Sequence, residues 1–306
     1  MYAKLHAVAR QVGTVIVGKD LQIRQALTCL LAGGHLLVED VPGVGKTTLS
    51  HALAISLGLQ FNRIQFTSDL LPADVAGISI YEREKNGFVF HPGPIFTQVL
   101  LADEINRATP KTQSGLLEAM EERQVTADGV TRPLPEPFFV IATQNPTHQI
   151  GTFPLPESQL DRFLMCLSLG YPDAAAERAL LMGEDRRALL KTLPAAMTPA
   201  ELAAAQRGLR DIHTSHALID YIQALAQASR QNGSFAEGLS PRAALALVQA
   251  ARAWAALEGR DHVIPEDVQA VLVPVCAHRL RPLKSAHGVA LASRDLVLRL
   301  QQSVPV

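Results

Sequence analysis

A short apolar run that turns through glycines straight into a helix is the feature that most limits this 306-residue chain. His35-Leu36-Leu37-Val38-Glu39 reads as a buried strand, Val41-Pro42-Gly43-Val44-Gly45 as the turn, and Lys46 to Leu57 as a helix ended by Gly58. Strand-like and helix-like segments alternate through the first half of the chain, the pattern that gives a mostly parallel sheet covered by helices. Further apolar runs at Phe61–Phe66, Val99–Ala102, Phe138–Thr143 and Phe163–Leu169 supply four such strands, each continuous enough to predict burial on both faces. The expected architecture is α/β, an αβα sandwich with a parallel five-stranded sheet. Helices over 3–16 and from Asp20 to Ala32 precede it, with Asp20 as candidate N-cap and Gly33-Gly34 as the stop.

Two stretches break the alternation. Gly77–Tyr81, Asn86-Gly87 and Phe88–Phe90 predict a β-hairpin turning on Asn-Gly. Gln124–Thr126, Asp128-Gly129 and Thr131–Leu134 suit a second, shorter hairpin, or a surface loop. From about Tyr171 the texture becomes Ala/Leu-rich with helical periodicity. The expected division is therefore 1–170, α/β with inserted hairpins, and 171–306, all-helical. In the second part Ser240-Pro241 is a helix start with Ser as N-cap, and Val263–Asp267 opens another helix with acidic residues in its first turn.

The chemistry lies at the strand ends. Val38-Glu39-Asp40-Val41-Pro42-Gly43-Val44-Gly45-Lys46-Thr47-Thr48 resembles a P-loop, in which glycines let successive N–H groups curl around a polyphosphate at a helix N-terminus. In such a loop Lys46 reaches the outer phosphates and Thr47 ligates Mg²⁺. Position 40 departs from the pattern, holding aspartate where glycine is expected. Asp103-Glu104 ends a second apolar strand, and two adjacent carboxylates there are costly unless they serve a cation or a reaction. Asp103 is the candidate Mg²⁺ holder and Glu104 the candidate general base. Asn145 ends a third strand and is placed to fix the attacking water.

With these residues assigned, the chain resembles AAA+ ATPases and, within them, the MoxR family. The resemblance rests on VPGVGKTT, on LLADEINRATPKTQSGLLEAMEERQVT as the Walker B region, and on FFVIATQNP as the sensor-1 strand. It extends through GTFPLPESQLDRF and LSPRAALALVQAARAWAALEGRDHVIPEDV, and spans roughly residues 12 to 280. It implies an ATP- and Mg²⁺-dependent ATPase working as a homo-oligomeric ring, usually a hexamer, with a helical lid domain. Arg162 matches the arginine finger that reaches a neighbour's γ-phosphate, with Arg107 and Arg123 as rivals. Arg242 matches sensor 2, and Val17-Gly18 the adenine-side contact, although a plain helix-ending Val-Gly would look the same. The first hairpin falls where the clade inserts one within helix 2. Tyr81, Phe88 and Phe90 would there meet a client, or pack on one another.

What the resemblance further implies is a chaperone-like factor acting on partner proteins, typically with a von Willebrand factor A domain partner. A nucleic-acid motor or loader and a chelatase-type metal-insertion subunit are the alternatives. The balanced charge, net -1 and spread over both halves, gives no basic stripe and argues against nucleic acid. Three separated cysteines make no disulfide or zinc framework. The opening MYAKLHAVAR has no apolar signal core, and no run nears the ~18 apolar residues of a membrane span, so a cytoplasmic protein is expected.

Overall fold

The structure, a computed structural model, describes residues 2–145, 151–183, 186–231, 233–283 and 292–305. Helices α1 (Tyr2–Val15) and α2 (Asp20–Leu31) lead into β1 (His35–Glu39), α3 (Lys46–Ser56) and β2 (Phe61–Gln65). A one-turn helix α4 (Pro72–Ala76) precedes the hairpin β3 (Gly77–Glu82) and β4 (Gly87–Pro92). Then come β5 (Val99–Asp103), α5 (Pro110–Glu122), the hairpin β6 (Gln124–Ala127) and β7 (Val130–Pro133), and β8 (Phe139–Gln144). The short α6 (Glu157–Leu160) and β9 (Phe163–Leu167) complete the α/β part. Helices α7 (Ala174–Met182), α8 (Arg186–Thr192), α9 (Pro199–Gly208), α10 (His216–Gln231), α11 (Pro241–Leu257), α12 (Pro265–Cys276) and α13 (Ser293–Ser303) follow.

The five expected strands form one parallel sheet in the order β2-β5-β8-β1-β9. Successive strand residues point to opposite faces, and both faces are covered. Leu36, Val38, Val99, Leu101, Phe139 and Ile141 join an apolar cluster with α1–α3 and the C-terminal helices. Leu37, Leu100, Ala102, Val140 and Ala142 join a second cluster with α4 and α5. That double coverage is why the runs are continuous rather than alternating. β2 departs from the expectation: it is an edge strand, with Asn62, Arg63 and Gln65 exposed. As an edge strand β2 has a neighbour on one side only, and these side chains are left within reach of solvent and of the end of β5, whereas β9, the other edge, is buried under α2 and α12.

Three local expectations are corrected. Asp20 is the first residue of α2 rather than its cap, and Lys19 precedes it without a side-chain cap bond. The first hairpin does not turn on Asn-Gly. Glu82 pairs with Gly87, so residues 83–86 form a four-residue loop with Asn86 at φ 47°. The hairpin also follows one helical turn and runs on to β5 with no helix resuming, so it is not held within a helix. The second hairpin does form, and Asp128-Gly129 makes its two-residue turn with both residues at positive φ, as a type I′ turn requires. Ser240 caps α11 as expected, its Oγ accepting from the Ala243 N–H at 3.1 Å.

At the N-terminal end of the sheet His35 is buried and neutral. The Val140 N–H donates to its Nδ1 at 2.9 Å, so Nε2 carries the proton and donates to the Met120 carbonyl at 3.1 Å. Burial pushes its pKa from 6.5 down to about 4. Because the unfolded chain takes up this proton first, stability is complete above about pH 6.5 and falls as pH drops toward 4. The expected loss is ~3 kcal/mol, since each tenfold difference in proton affinity between the folded and unfolded chain is worth ~1.4 kcal/mol. His278, also buried and pushed down, adds to the slope. Thermal midpoints measured between pH 7 and 4 check this: replacing His35 with glutamine should flatten the profile, and an unchanged slope would remove His35 as its source.

Candidate active site

Parallel strands all deliver their C-terminal ends to one edge, and sheet order decides which residues meet there. β8 lies between β1 and β5, so Asn145 stands between the glycine turn and the Asp103-Glu104 pair. The turn itself needs its glycines: Gly43 and Gly45 have φ of 86° and 97°, a region that L side chains avoid. A Cβ on Gly43 would meet nothing within 4 Å, which leaves the concave side open. Pro42 and Gly43 are exposed, and Val44, Thr47 and Thr48 partly so, whereas Lys46 is buried.

Lys46 Nζ donates to the Asp40 carbonyl at 2.6 Å and to Asn145 Oδ1 at 3.2 Å. Burial lowers its pKa, against the raising influence of Asp40, Asp103, Glu104 and Glu39. Asn145 Nδ2 donates onward to Glu104 Oε1 at 3.0 Å. One continuous chain of contacts thus links the predicted phosphate lysine, the water-fixing amide and the candidate base. Pro146, which follows Asn145, lies outside the described residues.

Glu104 sits at φ 56° and ψ 47°. That left-handed conformation costs a non-glycine residue energy and marks sites held by their surroundings. Here the Glu104 N–H donates to Thr143 Oγ at 2.9 Å, and Thr143 donates to Asp103 Oδ1 at 2.5 Å. The other Glu104 oxygen is held by Gln65 Nε2 at 2.8 Å and by Arg107 Nε at 2.9 Å. Asp103 Oδ2 takes Arg63 Nη2 at 2.7 Å. The sequence reading missed Arg63, Gln65 and Thr143. The first two had a signal in the polar positions of Phe61–Phe66, which an edge strand explains. Arg107, a rival trans arginine, lies instead on its own chain's Glu104.

The residues present fit a hydrated Mg²⁺ on the chemistry of their donors. The Thr47 hydroxyl has no protein partner among the described residues, and the Asp103 carboxylate stands at the same edge of the sheet, two strands from β1. Both are hard oxygen donors of the kind that cation takes.

Asp40, the departure from the glycine pattern, is buried. Its Oδ1 accepts from the Val41 N–H at 2.8 Å, and its Oδ2 accepts from Ser168 Oγ at 3.0 Å and the Gly170 N–H at 2.6 Å. Val17-Gly18 lies nearby. The side chain of Ile16 reaches within 3.8 Å of where a Gly45 Cβ would be, and a Cβ on Gly18 would come within 2.8 Å of Ala176 Cβ. Glycine at 18 is therefore required by the approach of α7.

Arg162 and Arg242 are not at this edge. Arg162 immediately precedes Phe163, which pairs with His35 at the start of β1, and the two arginines share a cleft with Gly34, His35, Arg123 and Asp161. The P-loop leaves the other end of β1, about 13 Å away at ~3.3 Å per residue. The structure thus brings the two arginines together, with Arg123 beside them, but not onto their own chain's phosphate loop.

Comparison with known proteins places this geometry. A family model described as "ATPase family associated with various cellular activities (AAA)" matches residues 35–165, and one for the AAA lid domain matches residues 227–297. Chaperone MoxR1 of Mycobacterium tuberculosis is 40% identical over 99% of this chain and 83% of its own length. The chain belongs to the MoxR family of AAA+ ATPases. Protein YeaC of Bacillus subtilis is 44% identical over the whole chain and 96% of its own. A crystal structure from Cytophaga hutchinsonii superimposes on the MoxR-family fold with a TM-score of 0.89 at 36% identity, covering 99% of this chain and 95% of that one. The MoxR-family chain is accordingly an ATP-hydrolysing enzyme with a five-stranded AAA+ sheet and a helical lid. None of its described helices is long and apolar enough to cross a membrane.

Proposed function

We propose that this ATPase hydrolyses ATP at sites shared between subunits of a ring and uses the cycle to remodel or mature partner proteins. The observation that carries the shared site is the separation of Arg162 and Arg242 from their own P-loop by the length of β1. A guanidinium at that end serves phosphate chemistry only on another subunit, and head-to-tail contacts of this kind close into rings.

Within one site the division of labour follows from the contacts. The backbone N–H groups of Gly43–Thr48 cradle the phosphates, with Lys46 neutralising the outer ones. Val17-Gly18 flanks the base side. Thr47 and Asp103 would hold Mg²⁺, which supplies charge neutralisation on the phosphate oxygens when bound. Asn145 orients water toward Glu104, whose carboxylate takes its proton as the water attacks the γ-phosphorus and the bond to the bridging oxygen breaks, releasing ADP. The neighbour's Arg162 and Arg242 meet the charge that develops. The chaperone-like role is supported by the name of the M. tuberculosis relative. A cytoplasmic setting and a von Willebrand factor A domain partner belong to the same proposal.

A shared site makes the specific rate depend on assembly. The test is ATP turnover per subunit against protein concentration, with mass measured in parallel. The rate is expected to climb and level off as the oligomer forms. A flat rate from a species that stays monomeric would overturn the shared site.

A further inference from the structure

The two arginines assigned to the neighbour's phosphates come from different parts of the chain: Arg162 precedes β9, and Arg242 lies in the first turn of α11. Like charges repel, so holding both in one cleft needs a counter-charge. Glu121, in the last turn of α5, stands between them. Its Oε2 lies 2.7 Å from Arg162 Nη1, and its Oε1 lies 3.4 Å from Arg242 Nη1.

Arg162 is held closely and Arg242 more loosely. Arg162 Nη1 also donates to the Leu117 carbonyl at 2.7 Å. Arg242 Nε lies 3.8 Å from Asp161 Oδ2, and Asp161 is itself fixed by the buried Arg279 at 2.7 Å. Arg162 is thus tied through Nη1 alone, and Arg242 through Nη1 and Nε. Arg162 Nε and Nη2, and Arg242 Nη2, have no protein partner among the described residues.

We propose that Glu121 is a positioning residue for the neighbouring subunit's active site, fixing Arg162 and Arg242 as a pair with their unpaired N–H groups turned outward. The proposal rests on the shared-site reading above. Partly exposed ion pairs contribute little to folding, so the geometry imposed on the two arginines is the larger consequence of the contact. Small misplacements of groups that stabilise a transition state are expensive in rate.

Mixed assemblies test this. A Glu104→Gln chain lacks a base but offers an intact arginine face, and an Arg162→Ala chain lacks the finger but offers an intact P-loop. Mixed equally, the two should recover about a quarter of the parental rate if neighbours combine at random around a ring. Glu121→Ala placed on the Glu104→Gln chain, the donor of the arginine face, is expected to lower that recovered rate about 10-fold or more. The same change on the Arg162→Ala chain should leave it within about 2-fold, because that arginine face is already silent. Glu121→Gln on the face donor keeps an oxygen acceptor without the charge and should fall between. Equal losses from both placements, or no loss from either, overturn the positioning role. No recovery from the parent pair, before Glu121 is touched, overturns the shared site itself.

Discussion

Arg162→Ala is expected to lower the ATPase rate of the fully assembled protein about 10³-fold or more while leaving ATP affinity nearly unchanged. A guanidinium supplied across an interface stabilises charge that exists only in the transition state, and such residues are worth ~10³–10⁵ in rate. Arg162 suits the task because its Nε and Nη2 remain free while Nη1 is anchored on Leu117 and Glu121. A loss of 10³ corresponds to ~4 kcal/mol of barrier. Turnover at saturating ATP and at protein concentrations where assembly is complete gives the comparison, with binding followed by a fluorescent ATP analogue. A parental rate would move the role to Arg242 or Arg123, which line the same cleft.

Glu104→Gln is expected to bind ATP normally and turn over ~10²–10⁴-fold more slowly, the range by which a positioned base accelerates a reaction. The carboxamide keeps the size of the side chain and can still bond to Gln65 and Asn145, so the site should keep its shape. Removing the proton acceptor leaves the bound nucleotide uncleaved. Single-turnover phosphate release measures the chemical step, and the ATP-bound assembly should persist on a sizing column. If phosphate appears at the parental rate, the proton goes elsewhere and Glu104 serves only to organise Asn145 and Arg107.

The parts of this site that could be read from sequence are those that sequence neighbours define. Gly43, Gly45 and Lys46 announce themselves because the turn they make is local, and Asp103-Glu104 and Asn145 because polar residues at the ends of buried strands are costly. What escaped the reading depends on pairing between distant segments. Gln65 and Arg63 become site residues only when β2 docks on β5 and aligns Gln65 with Asp103. Glu121 means nothing until α5, β9 and α11 converge. Arg162 could be singled out, but its position relative to the P-loop required knowing that β9 runs parallel to β1 and starts beside His35. The first hairpin misled for a different reason: Asn-Gly favours a tight turn, yet Tyr81 pairs with Phe88, and Tyr81 Oη donates to Asn86 Oδ1 at 2.6 Å within a longer loop.

The aspartate at position 40 makes the phosphate loop and the exit of the last strand a single mechanical unit. The same residue holds Lys46 through its carbonyl and Ser168 and Gly170 through its carboxylate, and α7 begins only a few residues beyond. The two attachments use different atoms, so they separate on substitution: glycine at 40 would keep the carbonyl that receives Lys46 and remove the carboxylate that Ser168 and Gly170 share. The lysine would stay seated while the exit of β9 came off the loop.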